Sequence, residues 1–261
     1  MKLAPVPKHN QVNAKINAAL ESGAYNDPGS FEMRLLRREC EQVVKAEPFM
    51  GWALLGSFFS ALGDVEEAER CFSASLKLRN DYVTHANYHT NLGNLGLFSK
   101  AHQYFVEHGR PEKGQFSMML GFAQTMGSFQ TAVAYAEEAE AMGIELQEQL
   151  SESCRKAACL LASEGVSDEQ VALHLDVAGE VLRRRRMFYY DAPKIKVSAV
   201  KGVFVGVTCV LAVAGSSMEV FEMNMELAQL EREMDVVKHP AFDVIFKPLV
   251  IDKPTVAPEL V

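Results

Sequence analysis

Three glycines frame this chain. Gly63, Gly96 and Gly127 each separate two apolar-patterned segments, at intervals of 33 and 31 residues (96 − 63 and 127 − 96). Recurrence at this period marks an architecture assembled from one supersecondary unit. In GWALLGSFFSALGDVEEAERCFSASLKL, Trp52, Leu55, Gly56 and Phe59 share one helix, Gly63 and Asp64 make the turn, and Ala68, Phe72 and Leu76 follow at i, i+4, i+8 on a second helix. NLGNLGLFSKAHQYF repeats the pattern through Gly96, Ala101 and Phe105, and FAQTMGSFQTAVAYA through Gly127, Ala132 and Ala136.

Each part of the pattern has a physical role. Glycine permits the backbone geometry of the turn. A small alanine five residues later allows close approach of the two helices, and the residue four further on is the knob that packs between hairpins. A single hairpin cannot bury its apolar face alone, so neighbouring hairpins are expected to stack.

The stretch from Phe49 to Tyr82 resembles a tetratricopeptide repeat, with Trp52, Leu55, Gly56, Phe59, Ala68 and Phe72 on the W-x2-L-G-x2-Y and A-x3-F positions. Asn80 replaces a frequent proline, His85 stands where the second unit would have tryptophan, and Ala136 replaces the aromatic of the third. The resemblance is best over 49–142, about a third of the chain. It implies a mainly α protein, with a right-handed α-solenoid of such hairpins over 1–186; it does not cover 187–261, which reads as a small C-terminal α/β domain from its own residue pattern. It also implies a concave groove lined by the first helix of each hairpin, to which a partner peptide or helix binds. That register puts Met50, Leu54 and Ser57 in the groove, followed by Ala86, Asn87, Thr90 and Asn94, and then Met118, Gly121 and Gln124. One subgroup of the family holds acidic chaperone tails with basic residues and asparagines. Here only Asn87 matches, while Ala53, Ser57, Gly114 and Met118 occupy the other positions, which argues against that ligand. Asparagine amides can instead pair with the backbone of an extended peptide.

The flanks read as further helix pairs, Gln11–Ser22 with Phe31–Ala46 and Gln147–Glu164 with Asp168–Arg185. Ser167 and Gln170 have capping-box spacing. After Arg186 the chain becomes rich in β-branched residues. Lys194–Val200 and Val203–Val213 read as strands joined at Lys201-Gly202, a helix capped by Ser216 and Glu219 follows, and Phe242–Lys247 closes a β-β-α-β order. Val203–Val213 is apolar on both faces and needs cover from the repeat helices or from a second copy of the chain, so a homo-oligomer through this sheet is one expectation.

The remaining features narrow function. The net charge of −8 is a poor footprint for a nucleic-acid binder. The run Arg183, Arg184, Arg185, Arg186 is the one basic feature that could contact phosphate, which leaves an accessory subunit of a nucleic-acid-processing complex as the alternative function. A helix C-terminus complemented by cations, or pairing with Glu137, Glu138 and Glu140, explains the run more simply. His85 and His89 have metal-ligating i, i+4 spacing, but no carboxylate or cysteine joins them, so no metal and no cofactor is expected. Five cysteines without a C-x-x-C pair suggest buried thiols in a reducing compartment. The longest uncharged run, Gly202 to Ser217, is too short to span a membrane. Nucleotide-binding, hydrolase and zinc-protease motifs are absent. The expectation is a cytoplasmic, non-enzymatic scaffold or adaptor for a protein partner.

Overall fold

The computed structural model describes residues 8–108, 114–146, 150–200, 204–234 and 236–249. Its element order is α1 (Lys8–Leu20), α2 (Phe31–Ala46), α3 (Pro48–Leu62), α4 (Val65–Leu78), α5 (Tyr82–Asn94), α6 (Phe98–His108), α7 (Phe116–Thr125), α8 (Phe129–Ala141), α9 (Glu152–Ser163), α10 (Asp168–Arg184), β1 (Tyr189–Val200), β2 (Phe204–Val213), α11 (Ser217–Glu233) and β3 (Phe242–Pro248). The protein is mainly helical with a small sheet near the C-terminus. Lys201, Gly202, Val203 and Gln147 lie outside the described residues.

The repeat glycines sit at helix turns. Gly63, Gly96 and Gly127 have φ of 75°, 67° and 77°, a conformation that costs an L side chain energy. The turns separate α3 from α4, α5 from α6 and α7 from α8, and the helices of each pair pack on one another. Asp64 caps α4 by accepting from the backbone N–H of Glu67. At the first pair, Gly56 approaches the Phe72 ring so closely that an added Cβ would lie 2.7 Å from it.

α3 is wrapped by α1, α2, α4 and α5. Leu54, Leu55, Phe58, Phe59 and Ala61 are all buried, as expected of a helix apolar around its whole circumference. These residues belong to a buried cluster shared with α1, α2 and α4. A second cluster runs from Ala53 to Phe246, so one continuous apolar interior crosses residue 186 and joins the repeats to the sheet.

α10 departs from a simple continuation of the hairpins. The capping box at Ser167 and Gln170 forms, but α10 lies on α6, α8, α11 and β3 rather than pairing with α9 as the next hairpin. It crosses the turns of the two preceding hairpins. Asp168, in its first turn, accepts from the backbone N–H groups of Gln130 and Thr131 and from the Thr131 hydroxyl at 2.8–3.0 Å, capping α8. Two turns on, Asp176 accepts from Ser99 N at 3.0 Å and caps α6. Between these anchors and the C-terminus, Gly179 meets Gly96; a Cβ on Gly179 would lie 1.8 Å from the Gly96 carbonyl oxygen. The linker between α1 and α2 joins the same strap, with Tyr25 N donating to Arg186 O and Phe188 N to Gly23 O. The Tyr25 ring sits against Gly63.

β1 and β2 pair antiparallel, and β2 and β3 pair parallel across the α11 crossover, in the order β1-β2-β3. β1 begins at Tyr189 rather than Lys194, with a register shift between Tyr190 and Lys194. Pro193 cannot donate to a ladder, so the strand accommodates it as an irregularity instead of starting after it. One face of β2, through Val207, Cys209, Leu211 and Val213, is buried, and the sheet packs on α9 and α10, so the chain's own helices cover that face. Beyond β3, the Asn224 amide of α11 accepts from Phe246 N and donates to Phe246 O, occupying part of the outer edge that a further strand would need.

Candidate functional site

The expected groove residues divide into enclosed, engaged and open ones. Leu54 and Ser57 are buried, at 6% and 9% exposure, because α2 and α5 close over α3. Their packing withdraws them from any open surface, and Ser57 accepts from Asn91 Nδ2 at 3.2 Å. Met50 is half-buried against the same cluster. Ala86 is buried. The Thr90 hydroxyl donates to Ala86 O, and Gln124 Oε1 accepts from Ser151 N at the start of α9. Gly121 is half-buried.

Three residues remain available. Asn87 is exposed, Asn94 is half-buried, and Met118 is exposed. Among the described residues no side-chain partner is found for either asparagine amide. Val83, Asn87 and Asn94 recur at i, i+4 and i+11 along α5, whose N-terminus is capped by Asp81 accepting from Val83 N at 2.7 Å. α7 lies alongside. The His89 and Phe122 rings are 5.1 Å apart, and a Cβ on Gly93 would lie 2.2 Å from Met126 Cε. The candidate strip is therefore the open residues of α5 and α7.

Elsewhere on α5, toward α6 and α7, the three helices enclose a cleft of about 20 Å³. It is lined by Tyr82, His85, Ala86 and His89 from α5, Tyr104, Phe105 and His108 from α6, and Met119 and Phe122 from α7. His89 stands between the Phe105 and Phe122 rings, with both centroids 5.1 Å away. Burial, helped by the neighbouring His102, pushes its pKa down to about 4, so the ring is neutral at pH 7. Burial likewise lowers the His85 pKa and raises the Tyr82 pKa to about 12. His85 is satisfied on both sides: Asn80 Oδ1 accepts from Nε2–H, which leaves Nδ1 to accept from the Tyr104 hydroxyl. In contrast, His89 Nδ1 and the Tyr82 hydroxyl are buried without a hydrogen-bond partner. Buried polar atoms are seldom left this way, and here two share one cleft.

The other histidines have structural partners. His102 meets the Ser128 hydroxyl at 2.7 Å, and His174 meets Val237 O at 3.1 Å. Among the described residues, no group of three or more His, Cys, Asp or Glu is placed to hold a metal ion. All five cysteines are free, and Cys40, Cys71, Cys154 and Cys209 are buried. Larger hollows, of about 490 Å³ between α1 and α2 and about 350 Å³ around Trp52, are lined in part by paired charges, Lys15 with Glu39 and Arg37 with Glu41.

Each arginine of the basic run has a partner within the chain. Arg183 donates to Leu95 O and Gly96 O, the carbonyls at the end of α5, and to Glu180. Arg184 pairs with Glu180, and Arg185 with Glu226 at 2.8 Å. The Arg186 guanidinium lies 5.5 Å from the centre of the Tyr25 ring. The acidic partners are thus Glu180 and Glu226 rather than the expected Glu137, Glu138 and Glu140. Among the described residues, no helix is long and apolar enough to cross a membrane.

No family model, curated protein or solved structure matches the chain. The functional reading rests on the residues themselves.

Proposed function

We infer that the chain is a non-catalytic, cytoplasmic scaffold of tetratricopeptide type, a right-handed solenoid of helical hairpins that holds a partner peptide or helix. The open strip of α5 and α7 carries this reading. Asn87 and Asn94 present amides with unmet hydrogen-bonding capacity at helical spacing, and Met118 presents an exposed thioether on α7. An amide pair can donate to and accept from the backbone of an extended segment, and methionine adapts to varied apolar side chains. Rigidity supports the same reading. The hairpin partners of the strip's helices, α6 and α8, are held by α10, so little ordering would oppose binding. The four arginines, already engaged, favour no phosphate-binding role.

The test is affinity capture of partners from the native source with Asn87→Ala/Asn94→Ala. Neither side chain holds the fold, so the variant is expected to keep its thermal midpoint and to recover the partner at least about tenfold less well, the loss of one or two hydrogen bonds. Undiminished recovery by the folded variant would exclude the strip.

A further inference from the structure

We propose that the cleft between α5, α6 and α7 takes the ammonium head of a lysine side chain, supplied by a protein partner. The inference rests on the scaffold reading and names the residue by which that partner is anchored.

Size comes first. About 20 Å³ holds one group the size of a water molecule, which an ammonium matches and an indole or guanidinium exceeds. A whole small-molecule ligand would need a pocket of several hundred Å³. The occupant is therefore the tip of a chain entering from outside, where the exposed His108 and half-buried His85 stand.

The lining then selects charge. The cleft is lined by phenol, phenyl and imidazole rings, one alanine methyl and one thioether, with no carboxylate, lysine or arginine among them. Tyrosine and phenylalanine faces attract cations and give nothing comparable to a neutral hydroxyl. The two unpartnered atoms offer lone pairs, on Tyr82 Oη and on His89 Nδ1 in its Nε2–H form, and an ammonium has donors for both. A third N–H can remain hydrated at the mouth. An anion would meet the π faces with repulsion.

The experiment is an NMR titration of the full chain, labelled at methionine methyls and histidine Cε1. The probes are n-butylammonium chloride and n-butanol at matched ionic strength. With butylammonium, the Met119 methyl and His89 ring signals should shift and saturate in the millimolar range. Butanol should be at least about tenfold weaker, as expected when a charged hydrogen-bond donor is exchanged for a neutral one. Tyr82→Phe keeps the ring and removes the lone pair, and should weaken butylammonium by a similar factor without unfolding. Equal response to both probes overturns the inference in favour of an unselective apolar hollow. Response to neither overturns it in favour of a trapped water. The strip is scored separately: Asn87→Ala/Asn94→Ala lies outside the cleft and should leave the butylammonium shift intact, whereas its capture result reports on the scaffold reading alone.

Discussion

Around α3 the packing is almost wholly apolar, whereas around α5, α6 and α8 it is threaded with polar side chains. Leu54, Phe58, Phe59 and Ala61 hold the first region together by exclusion of water. In the second region Thr84, His89, Asn91, His102, Ser128 and Asp168 are buried as well, and most are satisfied by directed bonds. Both regions are built from the same hairpin, so the difference lies in how neighbours are attached. A helix enclosed on all sides needs no polar instruction. Hairpins crossed by α10 are positioned by bonds to their helix ends. Asn87 and Asn94 belong to the second kind of region, where polar groups are part of the packing and some remain unsatisfied.

The contrast can be measured. The largest effect is expected in the apolar region: Phe58→Ala should lower the unfolding free energy by about 3–5 kcal/mol in urea titrations. That loss should be the same at pH 7 and pH 5, since Phe58 has no titrating partner. A pH-dependent loss would show that the two regions are not separate in this respect.

Next in size is an effect confined to the polar region. The folded-state pKa of His89 lies near 4, below its ordinary value of 6.5, so the unfolded chain binds the proton first. Stability from this group is complete above pH 6.5 and declines as the pH falls toward 4, by roughly 3 kcal/mol in total. Depressed values at His85 and His174 add in the same direction. The chemical-denaturation midpoint should therefore fall over this window, and the fall should be shallower in His89→Leu. An unchanged slope in that variant would remove His89 as the source.

Smaller again is the cap on α8. Asp168→Ala removes the acceptor for two backbone N–H groups and the Thr131 hydroxyl, and should cost about 2 kcal/mol. Hydrogen exchange should quicken at Gln130 and Thr131 before it does anywhere in α3. Uniform acceleration would mean that α10 holds the whole array rather than one hairpin.

Much of the fold could be read before the structure. The helix turns at Gly63, Gly96 and Gly127, the bounds of α2 and the caps at Ser167 and Ser216 follow from local rules, and each forms as expected. The position of α10 does not follow from such rules. Its Asp168 and Arg183 occupy the first and last turns, where acidic and basic residues suit a helix's own dipole, so a local explanation was already complete. Their actual partners, Gln130 N and Leu95 O, are 38 and 88 residues away in sequence. For the groove, repeat register names the first-helix face but not what covers it. The run from Phe49 to Leu62 is apolar around the helix, and that density was the available sign that Leu54 and Ser57 would be enclosed. The cleft left a fainter sign, Tyr82, His85 and His89 at i, i+3 and i+7 on one face, whose unmet atoms only the packed neighbours reveal.

Eight residues separate Asp168 from Asp176, and a helix rises 1.5 Å per residue, so the starts of α8 and α6 are tied at points about 12 Å apart along one rigid rod. Ordinary hairpin arrays tolerate changes of pitch from one unit to the next. In this chain a single inserted residue within that interval would turn one aspartate about 100° away from the other. The rod is thus a gauge: it sets the spacing of the two hairpins and leaves them no room to stretch apart.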